Sequence, residues 1–360
     1  MTSLSPLEVA ADALSDQANI DLLRGLVAIP STSGNEAEAV AYLCREMTAR
    51  GFDAAPDAAG SAVGTIGDGP RHVVLLGHID TVPGNIPVRI EDGALHGRGA
   101  VDAKGPLATF VAAAAASAER ANVRITVVGA VGEETIGSPG AAAAAAWSAP
   151  DFCVIGEPSG WDAVCLGYRG TLSLTYLLRQ HGRHTAGPGA SVAEQAVAFW
   201  KAVIAECARR NQEASSTFTS IGPALRGMWT ESDGLIDEAR LSVGLRLPPG
   251  VEIDQLLKRL RDLAGDAELL VEGQQPGYRS DNRIPLVPPF LRGIRAAGGT
   301  PRFTVKLGTS DMTVVGPAWG CPIVAYGPGD AALDHTPEER IVLDEFLKAI
   351  RVLTEVLVAL

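Results

Sequence analysis

Hydrophobic residues follow two kinds of spacing along the first part of the chain, one typical of helices and one typical of strands. Apolar positions at helical spacing predict helices over 17–28 and 36–50, with the turn-forming segment 30–34 between them. Short apolar runs then alternate with further helices, as strands at 61–66, 72–77, 123–131 and 152–156 and helices at 104–119 and 138–147. This alternation predicts an α/β fold with a mixed, mainly parallel sheet that helices cover on both faces.

The rhythm changes after Gly167. The next predicted elements follow the order β-α-β-β-α-β of a ferredoxin-like α+β unit, at 171–179, 191–210, 216–222, 239–247, 252–264 and 266–272. The α/β pattern then returns, with a helix at 288–297, strands at 302–306 and 322–327, and a closing helix at 338–359. We therefore predict a discontinuous domain of residues 1–166 and 277–360, interrupted by an inserted domain of residues 167–276.

Composition and charge narrow the class of protein. The chain has 360 residues, of which 46% are hydrophobic and 20% charged, as is typical of a soluble enzyme of two domains. Its net charge of -12 argues against a nucleic-acid partner, because phosphate contacts need clustered Lys and Arg. Five scattered cysteines, no signal-like segment and no membrane-length apolar run favour a cytoplasmic protein without a membrane partner.

Polar residues that can bind metal recur where the predicted strands end. His78 and Asp80 follow the apolar run 73–76, and their spacing places both side chains on one side of the strand. Comparable positions are held by Asp102, Glu133, Glu134, Glu157 and His335. Ligand sites of open α/β sheets form outside the carboxyl ends of strands, and this donor set suits a divalent metal, zinc first, with cobalt or manganese as alternatives. When only one such residue is present, it is more often a packed histidine or an acidic residue at the beginning of a helix than a metal ligand.

Together these motifs resemble the M20 family of co-catalytic metallopeptidases and deacylases. The matching segments are Gly77-His78-Ile79-Asp80-Thr81-Val82-Pro83, Gly97-Arg98-Gly99-Ala100-Val101-Asp102-Ala103-Lys104-Gly105, Glu133-Glu134, Gly156-Glu157-Pro158 and Asp334-His335. The resemblance implies a zinc-peptidase-like catalytic domain and an inserted domain that serves as a lid and in dimerisation.

The resemblance also implies two divalent metal ions. Asp102 would bridge them, with His78 and Glu157 completing the first metal site and Glu134 and His335 the second. A shared pair of ions lowers the pKa of a bridging water and polarises the carbonyl to be cleaved.

Two further carboxylates have implied roles around the metals. Glu133 resembles the general base that takes a proton from the water, and Asp80 resembles the carboxylate that orients His78 through its second ring nitrogen. The family also implies a cis peptide bond after Asp102.

The resemblance extends to substrate contacts. His184 is similar to a histidine that acts in the partner subunit's site of a homodimer and stabilises the oxyanion, although a solvated loop histidine is the plain alternative. Arg246 matches an arginine that binds a substrate carboxylate, and a surface arginine is equally compatible with its position. Thr309 and Ser310 are expected to line the pocket together with Asp311 of the same loop, unless these residues only form a turn or a helix cap.

Within the family the chain is most similar to hydrolases that release lysine or ornithine from a small acidic amino-group carrier protein. The alternatives are a small-molecule deacylase, acting on N-acetylornithine, N-acetyllysine or succinyl-diaminopimelate, and an inactive binding protein. Segment 279–306 has six basic residues and one acid, a net charge of +5. We expect part of it, with Arg169, Arg179 and Arg183, to face the acidic carrier.

Overall fold

The computed structural model describes residues 15–182, 184 and 187–360. Contacts divide them into two compact units. The flanking unit comprises the residues up to Gly167 with Ser280–Val305 and Ser310–Leu360, and the inserted unit comprises Tyr168–Arg279 with Lys306–Thr309. Arg183, one of the arginines expected to face a carrier, lies outside the described residues. No helix in these described ranges is long and apolar enough to cross a membrane.

The elements follow the chain in a regular order. The helices are α1 (Asp16–Ala28), α2 (Ala37–Ala49), α3 (Lys104–Ser117), α4 (Pro139–Ala145), α5 (Val192–Arg210), α6 (Ile253–Ala264), α7 (Val287–Ala296), α8 (Met312–Trp319) and α9 (Leu343–Val358). The strands are β1 (Asp53–Pro56), β2 (Ala62–Ile66), β3 (Arg71–His78), β4 (Arg89–Glu91), β5 (Ala94–His96), β6 (Val123–Ala130), β7 (Phe152–Gly156), β8 (Ala163–Tyr168), β9 (Gly170–His181), β10 (Gly222–Ser232), β11 (Ile236–Leu247), β12 (Glu268–Gln275), β13 (Tyr278–Arg279), β14 (Arg302–Lys306), β15 (Ile323–Ala325) and β16 (Arg340–Val342).

The flanking unit is built on a mixed sheet in the order β1-β2-β6-β3-β7-β15-β8. Strand β3 runs parallel to its neighbours β6 and β7, and β15 runs parallel to β7. Strand β2 is antiparallel to β6, and β8 is antiparallel to β15. Val73 and Leu75 are fully buried on β3, as continuous apolar runs are where helices cover both faces of a sheet. The predicted α/β class with a mixed, mainly parallel sheet is therefore confirmed.

Helix α3 is the centre of the flanking unit. It packs against the sheet at β3 and β6 and against helices α1 and α9. Its alanine-rich sequence suits that place, because small side chains let neighbouring elements approach it closely, and the residues from Lys104 to Ala115 are all buried. The helix begins at Lys104, so the turn before it carries Asp102.

The inserted unit is a four-stranded antiparallel sheet in the order β10-β11-β9-β12, with α5 and α6 packed on it. Numbered within the unit, this order is 2-3-1-4, which is the ferredoxin-like arrangement predicted from the sequence. The core joins both helices to the strands through residues such as Phe199, Leu241 and Leu256.

Three local predictions were wrong or incomplete. Residues 216–221 form turns rather than a strand, because hydroxyl groups such as that of Thr219 bond the local backbone, and the strand begins at Gly222. The closing helix begins at Leu343 instead of residue 338, since Arg340–Val342 pairs with β5. The hairpin of β4 and β5 was missed, although its Asp92-Gly93 turn, with positive φ at both residues, is a hairpin signal.

Candidate metal centre

The centre begins where β3 ends, at His78. His78 is 1% exposed and Asp80 is fully buried. The Nδ1 atom of His78 lies 3.0 Å from the carbonyl oxygen of Asp80 and 3.5 Å from its Oδ1 atom. Because both neighbours are acceptors, Nδ1 carries a hydrogen, and Nε2 is the nitrogen that could bind a metal ion after losing its proton.

The Asp80 carboxylate also holds the next strand end. Its Oδ1 accepts the backbone N–H of Glu133 at 3.0 Å, its Oδ2 accepts that of Glu134 at 3.1 Å, and Ser33 donates to Oδ2 at 2.7 Å. Burial acts to raise the pKa of Asp80, but these bonds and His78 outweigh it and lower the pKa. Asp80 therefore stays ionised and fixes both glutamates.

Asp102 lies between the two histidines. Its Oδ1 is 3.0 Å from Nε2 of His78, and its Oδ2 is 3.0 Å from Nε2 of His335. The same His335 nitrogen is 2.9 Å from Oε1 of Glu134. Burial opposes ionisation of Asp102, yet the hydrogen bonds from His335 and His78 lower its pKa. The hydrogen bond to Asp102 in turn raises the pKa of His335 to about 9.

Potential metal-binding atoms converge in two groups. One donor atom each of His78, Glu133 and Glu134 lie within 4.8 Å of one another, and so do those of Asp102, Glu134 and His335. Glu157, which follows β7, is buried but belongs to neither group. The Asp102–Ala103 peptide bond is cis.

Several carboxylates in the centre resist ionisation. Burial raises the pKa of Glu133 well above its usual value, and Asp311 and Glu134 add to the effect while His78 opposes it. Burial, reinforced by Asp102 and Glu133, does the same to Glu157. Like charges confined in a dry site favour the protonated form, and a bound dication would relieve this repulsion.

Asp311, in the Thr309-Ser310-Asp311 loop that the sequence predicted to line the pocket, is 1% exposed at the start of α8. Burial raises its pKa to about 7, with Asp80 adding to the effect and His78 opposing it. The sequence assigns Asp311 no individual role, because a polar residue at a helix start often only forms a turn or a cap.

The donor set fits divalent metal ions. It combines two imidazoles with the carboxylates of Glu133 and Glu134, which follow β6, and of Asp102, which precedes α3. Asp80 holds Nδ1 of His78, so Nε2 is the ring nitrogen that faces the other donors. Imidazole and carboxylate ligands suit zinc, cobalt and manganese. The arrangement can hold hard or borderline dications beside a carboxylate base.

The other residues predicted from the sequence have contacts of their own. Ser310 is fully buried, and its Oγ accepts the backbone N–H of Met312 at 3.3 Å, as at a helix start. Thr309 is half-buried and belongs to the inserted unit. In that unit Arg246 lies on β11 and His184 is exposed before α5. Their predicted roles in substrate binding and catalysis stay predictions.

The chain is similar to known proteins along nearly its whole length. Residues 74–359 match the family described as Peptidase family M20/M25/M40. The LysW-lysine hydrolase of Deinococcus radiodurans is 44% identical over 352 residues, which are 96% of this chain and 97% of that protein.

Solved structures share the fold. A tripeptidase of Staphylococcus aureus has a TM-score of 0.77 at 21% identity, over 96% of this chain and 98% of that one. A dinuclear metal-binding peptidase of Bacillus subtilis from the M20 family has a TM-score of 0.71 at 11% identity, over 97% and 98% of the two chains.

Proposed function

The chain belongs to peptidase family M20/M25/M40, and we propose that it is a metal-dependent hydrolase that releases lysine or ornithine from a small acidic amino-group carrier protein. The bond cleaved is the amide between the carrier's C-terminal glutamate side chain and the α-amino group of the amino acid. The proposed setting is lysine or arginine biosynthesis in the cytoplasm.

One observation carries the proposal. The chain is similar, nearly end to end, to a LysW-lysine hydrolase, and its groups of His and carboxylate side chains that could hold metal ions agree with that similarity. This similarity favours the carrier-linked substrate over acetylated or succinylated small molecules.

We assign five residues to two metal ions, zinc first and cobalt or manganese as alternatives. Asp102 is the bridge, His78 and Glu157 belong to the first ion, and Glu134 and His335 to the second. The contacts of Asp102 with both histidines support the bridging role, because each carboxylate oxygen faces a different imidazole. When bound, the ions lower the pKa of a shared water and polarise the scissile carbonyl.

Glu133 is the proposed general base. Its backbone N–H is fixed by Asp80, and burial raises the pKa of its carboxyl group, so it is well suited to take a proton from water and pass it to the leaving amine. Asp80 holds Nδ1 of His78, which directs Nε2 toward the proposed metal site.

We infer a homodimer in which His184 acts in the partner's site. Edge strand β10 of the inserted unit supports association, since Leu225, Met228 and Trp229 are exposed along it. Helix α5 also exposes Val197 and Ile204. A sheet edge and apolar side chains of this kind are suited to pairing with another chain.

Arg246 is the proposed contact to a substrate carboxylate. Its carbonyl oxygen accepts a hydrogen bond from Arg169 at 2.9 Å, and burial followed by the nearby charge of Arg226 lowers the pKa of its guanidinium. No carboxylate pairs with Arg246 among the residues that the structure describes. A site with excess positive charge favours an anionic group of the substrate.

The decisive experiment compares three substrates with the zinc- or cobalt-loaded protein: carrier-linked lysine, carrier-linked ornithine and N-acetylornithine. We expect kcat/KM for a carrier-linked amino acid to exceed that for N-acetylornithine by at least ~100-fold, as a recognised partner contributes binding energy. Equal turnover of N-acetylornithine would mean a small-molecule deacylase.

The variant Glu133→Gln tests the chemistry itself. It should lower kcat by roughly 10²- to 10⁴-fold while leaving the bound metal content unchanged, because a base is lost and no assigned ligand is removed. Unaffected turnover would contradict the assignment of Glu133.

A further inference from the structure

Glu339 is a buried acid outside the assigned ligands, with 1% of its surface exposed. Its Oε1 accepts the backbone N–H of Val101 at 3.0 Å and that of Asp102 at 3.2 Å. The Glu339 carboxylate thus fixes the turn that contains Asp102 by accepting two backbone hydrogen bonds. Asp80 fixes the turn that contains Glu133 and Glu134 in the same way.

Arg98 links Glu339 to the segment that carries His335. One guanidinium nitrogen, Nη1, donates to Oε2 of Glu339 at 2.7 Å and to the carbonyl oxygen of Thr336 at 3.2 Å. Thr336 directly follows His335. The Arg98–Glu339 pair therefore contacts the backbone of Asp102 and the backbone of the residue next to His335.

The backbone of His335 needs such support. Its φ of +61° lies in the left-handed region, which residues other than glycine seldom adopt and which persists only where surrounding bonds fix it. Thr336 adds two bonds to the carbonyl oxygen of Leu333, from its N–H at 3.1 Å and its hydroxyl at 2.8 Å. Beyond the loop, Arg340 pairs with His96 in β5.

We propose that Glu339 and Arg98 are positioning residues that hold Asp102 and His335 together and thereby set the affinity for the second metal ion. The inference rests on the proposed function, since it takes Asp102, Glu134 and His335 as ligands. Neither positioning residue touches the substrate or the reacting atoms. Their contribution is the fixed separation of two ligands from distant parts of the chain.

The geometry explains why this contribution falls mainly on the second ion, although Asp102 is proposed to bind both ions. His78 is oriented by Asp80, and Glu133 and Glu134 are held by the same carboxylate, without help from Glu339. Among the described residues, no carboxylate is bonded to the Nδ1 atom of His335. The side chain of His335 is half exposed, and its backbone is held by Arg98 through Thr336. Loss of the pair therefore loosens the second ion's site first.

The test titrates Co²⁺ into the metal-free, full-length protein and follows the visible absorption of bound cobalt together with calorimetry. We expect Glu339→Ala to raise the Kd of the weaker binding step by roughly 10- to 100-fold, which is the usual effect of removing a partner behind a ligand, and to raise the Kd of the tighter step clearly less. Glu339→Gln retains an acceptor for the two N–H groups, so it should rescue part of the affinity.

Arg98→Met provides an independent variant, because it removes the link to Thr336 and leaves the Glu339 bonds to Val101 and Asp102 in place. It should also raise the Kd of the weaker step. The matched control is Glu355→Ala, which breaks the exposed ion pair with Arg120 at 2.9 Å and should change neither step.

Two results would overturn the inference. The first is wild-type cobalt binding by Glu339→Ala and Arg98→Met. The second is an equal loss of both steps with a lowered unfolding temperature of the metal-free protein, which indicates a general role in stability. A wild-type protein that binds two ions but fails to hydrolyse carrier-linked substrate would contradict the proposed function and leave the positioning role intact.

Discussion

His335 Nε2 lies 2.9 Å from Glu134 Oε1, although 201 residues separate the two in the sequence. The same nitrogen is 3.0 Å from Asp102. One imidazole thus joins a strand end and a helix-opening turn from the first half of the chain to its last part. This contact, more than any local motif, makes the centre a single site.

The first prediction concerns this contact. His335→Ala should reduce the bound metal after dialysis from about two ions per chain to about one, and should lower kcat at least ~100-fold, because a dimetal site needs both ions to bind and polarise the reacting oxygens. Metal analysis and steady-state kinetics measure both effects. His181→Ala, at an exposed histidine, is the control. Two retained ions with full activity would exclude His335 as a ligand.

The second prediction concerns the subunit that supplies His184. Separately purified Glu133→Ala and His184→Ala proteins should each be nearly inactive. After subunit exchange, about half of the dimers are hybrids with one competent site, so activity should recover to about a quarter of wild type. If His184 acted within its own chain, every hybrid site would lack one group and mixing would restore nothing.

The third prediction concerns the basic face of α7. Arg292 and Arg295 are exposed one turn apart on it, and neither forms an ion pair with a described residue. Arg292→Glu/Arg295→Glu should raise KM for carrier-linked lysine by roughly tenfold at low salt, since like charges then repel an acidic carrier. The effect should shrink near 1 M salt, where screening acts within about 3 Å.

The control for this surface has the same spacing on another helix. Lys258→Glu/Arg261→Glu changes two exposed basic residues of α6 and should leave KM within about twofold of wild type. If both double variants behave alike, net charge alone explains the result. Unchanged turnover by the α7 variant would remove the docking surface.

The fourth prediction concerns pH and the inserted unit. Glu206 on α5 accepts hydrogen bonds from Arg209 and Arg210, each at 2.7 Å, and lies 3.6 Å from Arg259 on α6. The bond from Arg209, opposed by burial and reinforced by Arg210, lowers the pKa of Glu206 from 4.5 to about 2. Because the folded pKa is the lower one, this stabilisation is complete above pH 4.5 and is lost as the pH falls toward 2.

Glu206→Gln should therefore lower the free energy of unfolding at pH 7 by roughly 1 kcal/mol, a value limited by the solvent exposure of the arginines. Denaturant unfolding at pH 7, 4 and 3 should show the difference from wild type shrinking with acidity. Glu213→Gln, at an exposed glutamate, should show no such difference. A gap that stays constant down to pH 3 would contradict an ionic origin.

The strand ends of the centre could be predicted from the sequence because each follows an apolar run. The apolar run from Val73 to Leu76 predicts β3. Side chains two residues apart in a strand point the same way, which places His78 and Asp80 on one side. The family resemblance then related positions as distant as Asp102 and His335. Residues that act by binding the backbone of a ligand could not be predicted in this way. Glu339 is one of two adjacent glutamates in the sequence, and its hydrogen bond from the Asp102 N–H forms only in the folded chain.

The predicted element boundaries were wrong where local hydrogen bonds compete with hydrogen bonds to distant parts of the chain. Residues 338–342 continue the apolar spacing of α9, but Arg340 and Val342 find partners on β5 and form a strand instead. Ser216 and Thr219 carry hydroxyls that bond the local backbone, so the chain turns where β-propensity alone predicts a strand.

The position of β15 between β7 and β8 has a consequence for biosynthesis. A growing chain finishes the strands and helices of the inserted unit before Ile323 to Ala325 are made, so that unit is ready to fold while the main sheet still lacks a strand. Until then the neighbouring edges of β7 and β8 are open to chaperones or to mispairing. His335 emerges from the ribosome later still, so the nascent chain lacks a proposed ligand of the second metal ion until that residue is made.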